Sequence, residues 1–136
     1  MNLYNLNNSQ FNICDMEKAI IFESEKSSLL YQSYFGLEND ISVACCGSNI
    51  TQAQMQLLLN LGVKEVVIAL DRQFQEIGDN EFKRLKNNLV KLNNKYKNEV
   101  LVSFIFDKKK ITGYKASPID EGAEKFLTLF KERIVL

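Results

Sequence analysis

Short apolar runs alternate along the chain with longer stretches in which apolar residues recur every three or four positions. That alternation predicts strands separated by helices. Ala19-Ile20-Ile21-Phe22, Ile41 to Cys45, Val66-Val67-Ile68-Ala69-Leu70 and Val100 to Phe106 are apolar and rich in β-branched residues, as strands buried on both faces of a parallel sheet are. Between the first two, Lys26 to Phe35 places apolar residues at 29, 30, 34 and 35, a helical spacing that Gly36 ends. After the second strand Gly47-Ser48-Asn49 makes a turn, Thr51 serves as an N-cap, and Met55, Leu58, Leu59 and Leu61 mark a helix that stops at Gly62. Gly78-Asp79-Asn80 opens a long amphipathic helix, from about 79 to 97, with Phe82, Leu85, Leu89, Leu92 and Tyr96 on one face. A last helix follows Asp120 with Phe126, Leu127, Leu129 and Phe130 on its buried side, and Ile134-Val135-Leu136 adds a short terminal strand. The pattern specifies an α/β fold: a parallel sheet of about four strands, right-handed crossovers, and helices on both faces.

The 136 residues suit one domain, assigned to 19–136, preceded by a polar, Asn-rich N-terminal extension over 1–18. No apolar stretch approaches the roughly 20 residues needed to cross a bilayer, and Met1 to Asp15 lacks a signal-peptide core, so a cytoplasmic protein with no membrane partner is expected. Cys14, Cys45 and Cys46 are odd in number and, with no histidine in the chain, cannot complete a zinc site; they read as reduced thiols. Seventeen basic and seventeen acidic residues cancel, which excludes attraction of nucleic acid by net charge and leaves only local patches. Lys83, Arg84, Lys86, Lys91, Lys95 and Lys97 on the long helix read as a solvated face. Lys108-Lys109-Lys110 with Lys115 read either as a surface loop or as a rim contacting phosphates.

Acids end the strands. Glu23 follows the first, Asp71 the third and Asp107 the fourth, and Asp120 lies in the loop after it. Any one of them alone is equally well a helix cap or a turn residue. Together they would crowd like charges at the carboxyl edge of one sheet, where open α/β folds build their sites, and a divalent cation is the economical way to neutralise them.

The order of Glu23 after the first strand, Cys46-Gly47-Ser48 after the second and Asp71 after the third resembles the Toprim domain, shared by bacterial-type DNA primases, type IA and type II topoisomerases and certain nucleases. Primases of phages and mobile elements of Gram-positive bacteria carry segments similar to Ile21-Phe22-Glu23-Ser24-Glu25-Lys26-Ser27, Ala69-Leu70-Asp71-Arg72-Gln73-Phe74 and Gly113-Tyr114-Lys115-Ala116-Ser117-Pro118-Ile119-Asp120, in that order. The resemblance implies a Rossmann-like Toprim fold and metal-dependent nucleotidyl transfer in RNA primer synthesis for DNA replication. It implies Mg²⁺ or Mn²⁺ as cofactor, and single-stranded DNA template and nucleoside triphosphates as partners, with zinc-binding and helicase modules elsewhere in the protein or complex. Glu23 and Asp71 would be the catalytic acids and metal ligands, joined as ligands by Gln73, Asp120 and, more weakly, Asp107. Lys26, Arg72 and Lys115 would contact nucleic acid or phosphate, and Gly47 would supply a tight turn.

Two positions depart from the family pattern. Gln73 stands where the second acid of the Asp-x-Asp pair is expected, and Ser24 where a glycine usually follows the glutamate. The residues before Glu23 are too few for the zinc-binding and basic subdomains of a full primase, so the chain is expected to be a fragment or a remnant with little activity alone. A Toprim-type nuclease, which directs water rather than a 3′-hydroxyl, and a degenerate, non-catalytic module that binds nucleic acid or a partner are the alternatives.

Overall fold

Strands form where the β-branched runs lie. The computed structural model describes residues 2–136, with β1 (Lys18–Phe22), β2 (Ser42–Ala44), β3 (Glu65–Ala69) and β4 (Leu101–Phe104) parallel to one another and β5 (Ile134–Val135) antiparallel at the edge. The sheet order is β2-β1-β3-β4-β5. β1 and β3 therefore occupy its interior, and their side chains from Ala19 to Phe22 and from Val66 to Ala69 are buried on both faces. That double burial explains why these strands read as continuous apolar runs rather than as alternating ones.

The helices are α1 (Leu6–Met16), α2 (Glu25–Phe35), α3 (Gln52–Leu59), α4 (Asn80–Tyr96) and α5 (Ala123–Lys131), with a 3-10 turn at Leu37–Asn39. Each of the three crossover helices starts on a side-chain cap. Ser24 Oγ accepts from Ser27 N at 3.4 Å, Thr51 and Gln54 form a reciprocal capping box, and Asp79 Oδ1 accepts from Phe82 N at 2.7 Å. Ser24, the departure from the glycine of the Toprim pattern, is thus the N-cap of α2. The chain leaves β1 toward β2 on one side and returns past β1 to β3 on the other. Right-handed crossovers then put α2 and α3 on opposite faces. Phe126 of α5 packs on Tyr31 and Phe35 of α2, with centroids 5.8 and 6.2 Å apart, while Lys95 of α4 reaches Gln52 at the start of α3. Helices α2 and α5 therefore share one face, and α3 and α4 the other.

Residues 2–18, expected as a polar extension, are built into the fold. Leu3 and Ile13 are buried in the core, and Tyr4 exchanges two backbone hydrogen bonds with Ala44, of 3.0 and 3.1 Å, along the free edge of β2. Asn5 Nδ2 donates to Asp40 Oδ2 at 2.7 Å, tying the start of α1 to the buried turn before β2. At the opposite edge Arg133 donates to Glu65 at 2.8 Å and lies 4.2 Å from the Phe130 ring centroid, which fixes the chain as it enters β5. One core residue expected in α5 is not there: Leu127 is 42% exposed, and the helix buries Phe126 and Leu129 instead. In so short a helix only one narrow stripe meets the sheet, and Leu127 lies off it.

Candidate functional site

Phe22 is in register with Ala69, so Glu23 and Leu70 leave the sheet side by side and Asp71 follows. In a sheet of order 2-1-3-4 the crossovers part between β1 and β3, and the crevice at that point is where ligands bind in such folds. Glu23 and Asp71 meet there. The backbone N–H of Asp71 donates to Glu23 Oε1 at 3.4 Å, and the Gln73 amide nitrogen donates to the same oxygen at 3.1 Å. Burial pushes the Asp71 carboxyl up to about 7, helped by the negative charges of Glu23 and Asp120 and by a hydrogen bond with Glu23. Its Oδ1 is buried without a hydrogen-bond partner. The two acids therefore face one another across a gap that favours a proton or a cation.

An open pocket of about 340 Å³ surrounds them. Glu23, Asp71 and Gln73 line it from the sheet edge, Ser48 from the loop after β2, Glu81 and Arg84 from the first turns of α4, and Lys115 from the loop before α5. Two main-chain bonds hold that last loop in place, Lys115 N to Arg72 O at 2.7 Å and Arg72 N to Ala116 O at 2.9 Å. Asp120 Oδ2 accepts from Ser117 N at 3.0 Å, so it caps its own turn while its charge reaches Asp71. Arg84, Glu81 and Ser48 join the site without having been among its expected residues. Arg84 belongs to the pocket rather than to a solvated helix face, because the helix that follows β3 must begin at the same sheet edge as Asp71, which places its first turns beside the acids.

Several expected site residues lie elsewhere. Asp107 is not presented to a ligand: it is 6% exposed, and its oxygens accept from Ile111 N at 2.8 Å, Thr112 N at 2.9 Å and Thr112 Oγ1 at 2.7 Å. It staples the loop after β4. Arg72 turns away from the open pocket, donating from Nε to Gly113 O at 3.2 Å and lying 5.7 Å from the Phe74 ring centroid. Its role here is to strap the 113–116 loop. Lys26 is exposed in the first turn of α2 and does not line the pocket. Gly47 is not the residue that makes the turn after β2 possible; Cys46 carries the left-handed conformation, at φ 59°, and a Cβ on Gly47 would meet open space. Gln73 lines the pocket, but it presents its nitrogen, not its oxygen, to Glu23.

Among the described residues no group of three or more His, Cys, Asp or Glu side chains is gathered closely enough to hold a metal ion. Mg²⁺ needs less, since it is commonly held by one or two carboxylates and completes its octahedron with water and substrate phosphates. Glu23, Asp71 and the unpartnered Asp71 Oδ1 fit that mode.

No protein-family model matches the chain. Among curated proteins it is 36% identical, over 98% of its length, to the SPbeta prophage-derived uncharacterized protein YorJ of Bacillus subtilis strain 168, and it spans 37% of that protein. Among solved structures it superposes on the Aquifex aeolicus primase (zinc-binding and RNA polymerase domains) with a TM-score of 0.67 and 24% identity, covering 99% of this chain and 30% of that one. It superposes equally, at a TM-score of 0.67 and 13% identity, on the RNA polymerase domain of Mycobacterium tuberculosis primase DnaG in complex with double-stranded DNA, covering 98% of this chain and 39% of that one. The fold is the Rossmann-like α/β fold of bacterial primase cores. The chain spans well under half the length of the proteins it matches.

Proposed function

We propose that this chain is the Toprim core of a phage-type DNA primase, serving metal-dependent nucleotidyl transfer in primer synthesis. The observation that carries the reading is the convergence of Glu23 and Asp71 at the β1/β3 crevice, with the Asp71 carboxyl pushed up to about 7 by burial and one of its oxygens unpartnered. The primase-like fold and the prophage relative support it.

Glu23 and Asp71 would hold Mg²⁺ or Mn²⁺, which when bound neutralises charge on phosphate oxygens and aligns the reacting groups. The chain's own residues do the rest of the positioning. Lys115 and Arg84 bring positive charge to the same pocket as the two acids, suited to a triphosphate that enters it. The Gln73 amide, by donating to Glu23 Oε1, fixes the orientation of that carboxylate. Template and nucleoside triphosphates are the partners this reading implies, with further modules of a longer protein completing the enzyme.

Calorimetric titration of Mn²⁺ or Mg²⁺ into the chain tests the reading. Saturable binding that is lost in both Glu23→Gln and Asp71→Asn is the expected result, and binding unchanged in both would overturn it. A second reading, a non-catalytic binding module on the same fold, is favoured by Gln73, which puts a neutral amide where an acid would raise the charge of the site. Metal binding in the wild type, strengthened by added nucleoside triphosphate, separates the two.

A further inference from the structure

Helix α4 carries more of the binding chemistry than its first turns. Arg84, Asn88, Lys91 and Lys95 are spaced four, three and four residues apart. At 3.6 residues per turn they fall within about 60° of one another around the helix axis. Leu85, Leu89 and Tyr96 define its buried face, and this stripe flanks that face on the side of α3. Lys83, Lys86 and Lys97 point away from the stripe by the same count.

The stripe is one wall of a groove. Between α4 and the start of α3 lies an open cavity of about 230 Å³, with Asn88, Lys91 and Lys95 on one side and Ser48, Asn49 and Gln52 on the other. Its floor is apolar, formed in part by Ile50, Leu92 and Tyr96. Lys95 is braced at the mouth, 3.3 Å from Gln52 Oε1 and 5.5 Å from the Tyr96 ring centroid. Ser48 lines both this groove and the carboxylate pocket, and Arg84, the first residue of the stripe, lies in that pocket. The two cavities therefore adjoin at Ser48, and no acid lines the second.

Charge pairing points the same way. Lys109 is paired with Glu132 at 3.4 Å and Lys110 with Glu76 at 2.9 Å, so two of the four lysines expected to form a phosphate rim already have carboxylate partners. Among the described residues Arg84, Lys91 and Lys95 have none. Three unpaired cations in one file, with amides and a hydroxyl opposite and an apolar floor, suit a polyanion with flat apolar groups rather than an isolated phosphate.

We infer that the groove between α3 and α4 is the track along which a single nucleic-acid strand runs to or from the carboxylate pocket, its phosphates contacted by Arg84, Lys91 and Lys95. The stripe rises about 16 Å over the eleven steps from Arg84 to Lys95, the length of about five nucleotides at a stacked rise of about 3.4 Å. The inference rests on the nucleotidyl-transfer reading for what lies at the end of the track, but the track itself is read from α4 and the segment 48–52 that faces it.

The test is fluorescence anisotropy with the full chain and labelled oligo-dT and oligo-rU strands, across a salt series from low to physiological. Lys91→Ala/Lys95→Ala should lower the slope of log K against log[salt] by about 1.4, since each contact to a single strand contributes about 0.7. Lys86→Ala/Lys97→Ala, an equal loss of charge on the far side of the same helix, should leave the slope at the wild-type value. The strand whose slope falls more, DNA or RNA, is the one the groove takes. Equal slopes for the two double variants, or no strand binding by the wild type at low salt, overturn the inference. Divalent-cation binding measured on the same proteins keeps the two ideas apart. A track-dependent slope in a chain that binds no metal refutes the nucleotidyl-transfer reading alone, and metal binding at Glu23 and Asp71 with equal slopes refutes the track alone.

Discussion

Replacing Asp107 by alanine separates a structural acid from a metal-binding one. The carboxylate is 6% exposed and accepts three hydrogen bonds, two of them from the backbone and hydroxyl of Thr112, itself 4% exposed. The third donor, Ile111 N, is only partly buried, so water can take over there. Alanine strands the two Thr112 donors, and each buried donor left unsatisfied costs about 1–3 kcal/mol, which gives a loss of about 3 kcal/mol if the loop relaxes partly. For a chain of this size, that lowers the melting temperature by about 10 °C. Differential scanning calorimetry measures the shift, and a Mn²⁺ titration below the transition measures the site. The expected result is a large thermal loss with metal affinity unchanged. A melting temperature within a degree of wild type together with weakened metal binding would refute the loop-staple assignment and return Asp107 to the ligand set.

Asp71→Asn should change how stability depends on pH. Because the folded carboxyl titrates at about 7, above the roughly 3.9 of an unfolded aspartate, the folded chain holds a proton that the unfolded one has released, so wild-type stability falls as pH rises from about 4 through 7. The full shift corresponds to about 4 kcal/mol, and solvent at the open side of the pocket reduces this to about 2. Urea unfolding in chelator at pH 5 and pH 8 should show about two-thirds of that loss in the wild type and none of it in the variant; equal pH dependence in both refutes it. Gln73→Asp should tighten divalent-cation binding while destabilising the metal-free chain, since a third carboxylate adds ligand charge and repulsion together; calorimetry showing weaker binding would mean residue 73 does not face the cation. Leu89→Ala removes a side chain that is 6% exposed under α4 but borders the open groove, so the cost should lie at the low end of the core range, about 2–3 kcal/mol by denaturant unfolding. A loss under about 0.5 kcal/mol would show that α4 is not anchored by this face.

The sequence alone determined the sheet and its edge. Runs such as Ile20 to Phe22 and Val66 to Ala69 are apolar without interruption because they are buried from both sides, and that signal is local, so it places the strands, the crossover helices, the cap at Thr51 and the opening of α4 at 78–80. It also placed Glu23 and Asp71 at strand ends. Whether acids at strand ends meet is not local information. Glu23 and Asp71 meet because β1 and β3 are neighbours in the strand order, whereas Asp107, at the end of the next strand, has its oxygens taken by donors four and five residues away. The N-terminal helix escaped the pattern because it buries only Ser9 and Ile13, too few apolar positions to show a period, and the terminal strand was legible but its antiparallel direction was not, because two residues carry no directional signal. Arg84 and Lys91 looked like any other cations on a solvated helix. Only the approach of α4 to the segment 48–52 that leads into α3, and the carboxylates that claimed Lys109 and Lys110, distinguished the cations that face a groove from those already paired, because charge pairing and concavity are properties of segments that are distant in the chain and adjacent in space.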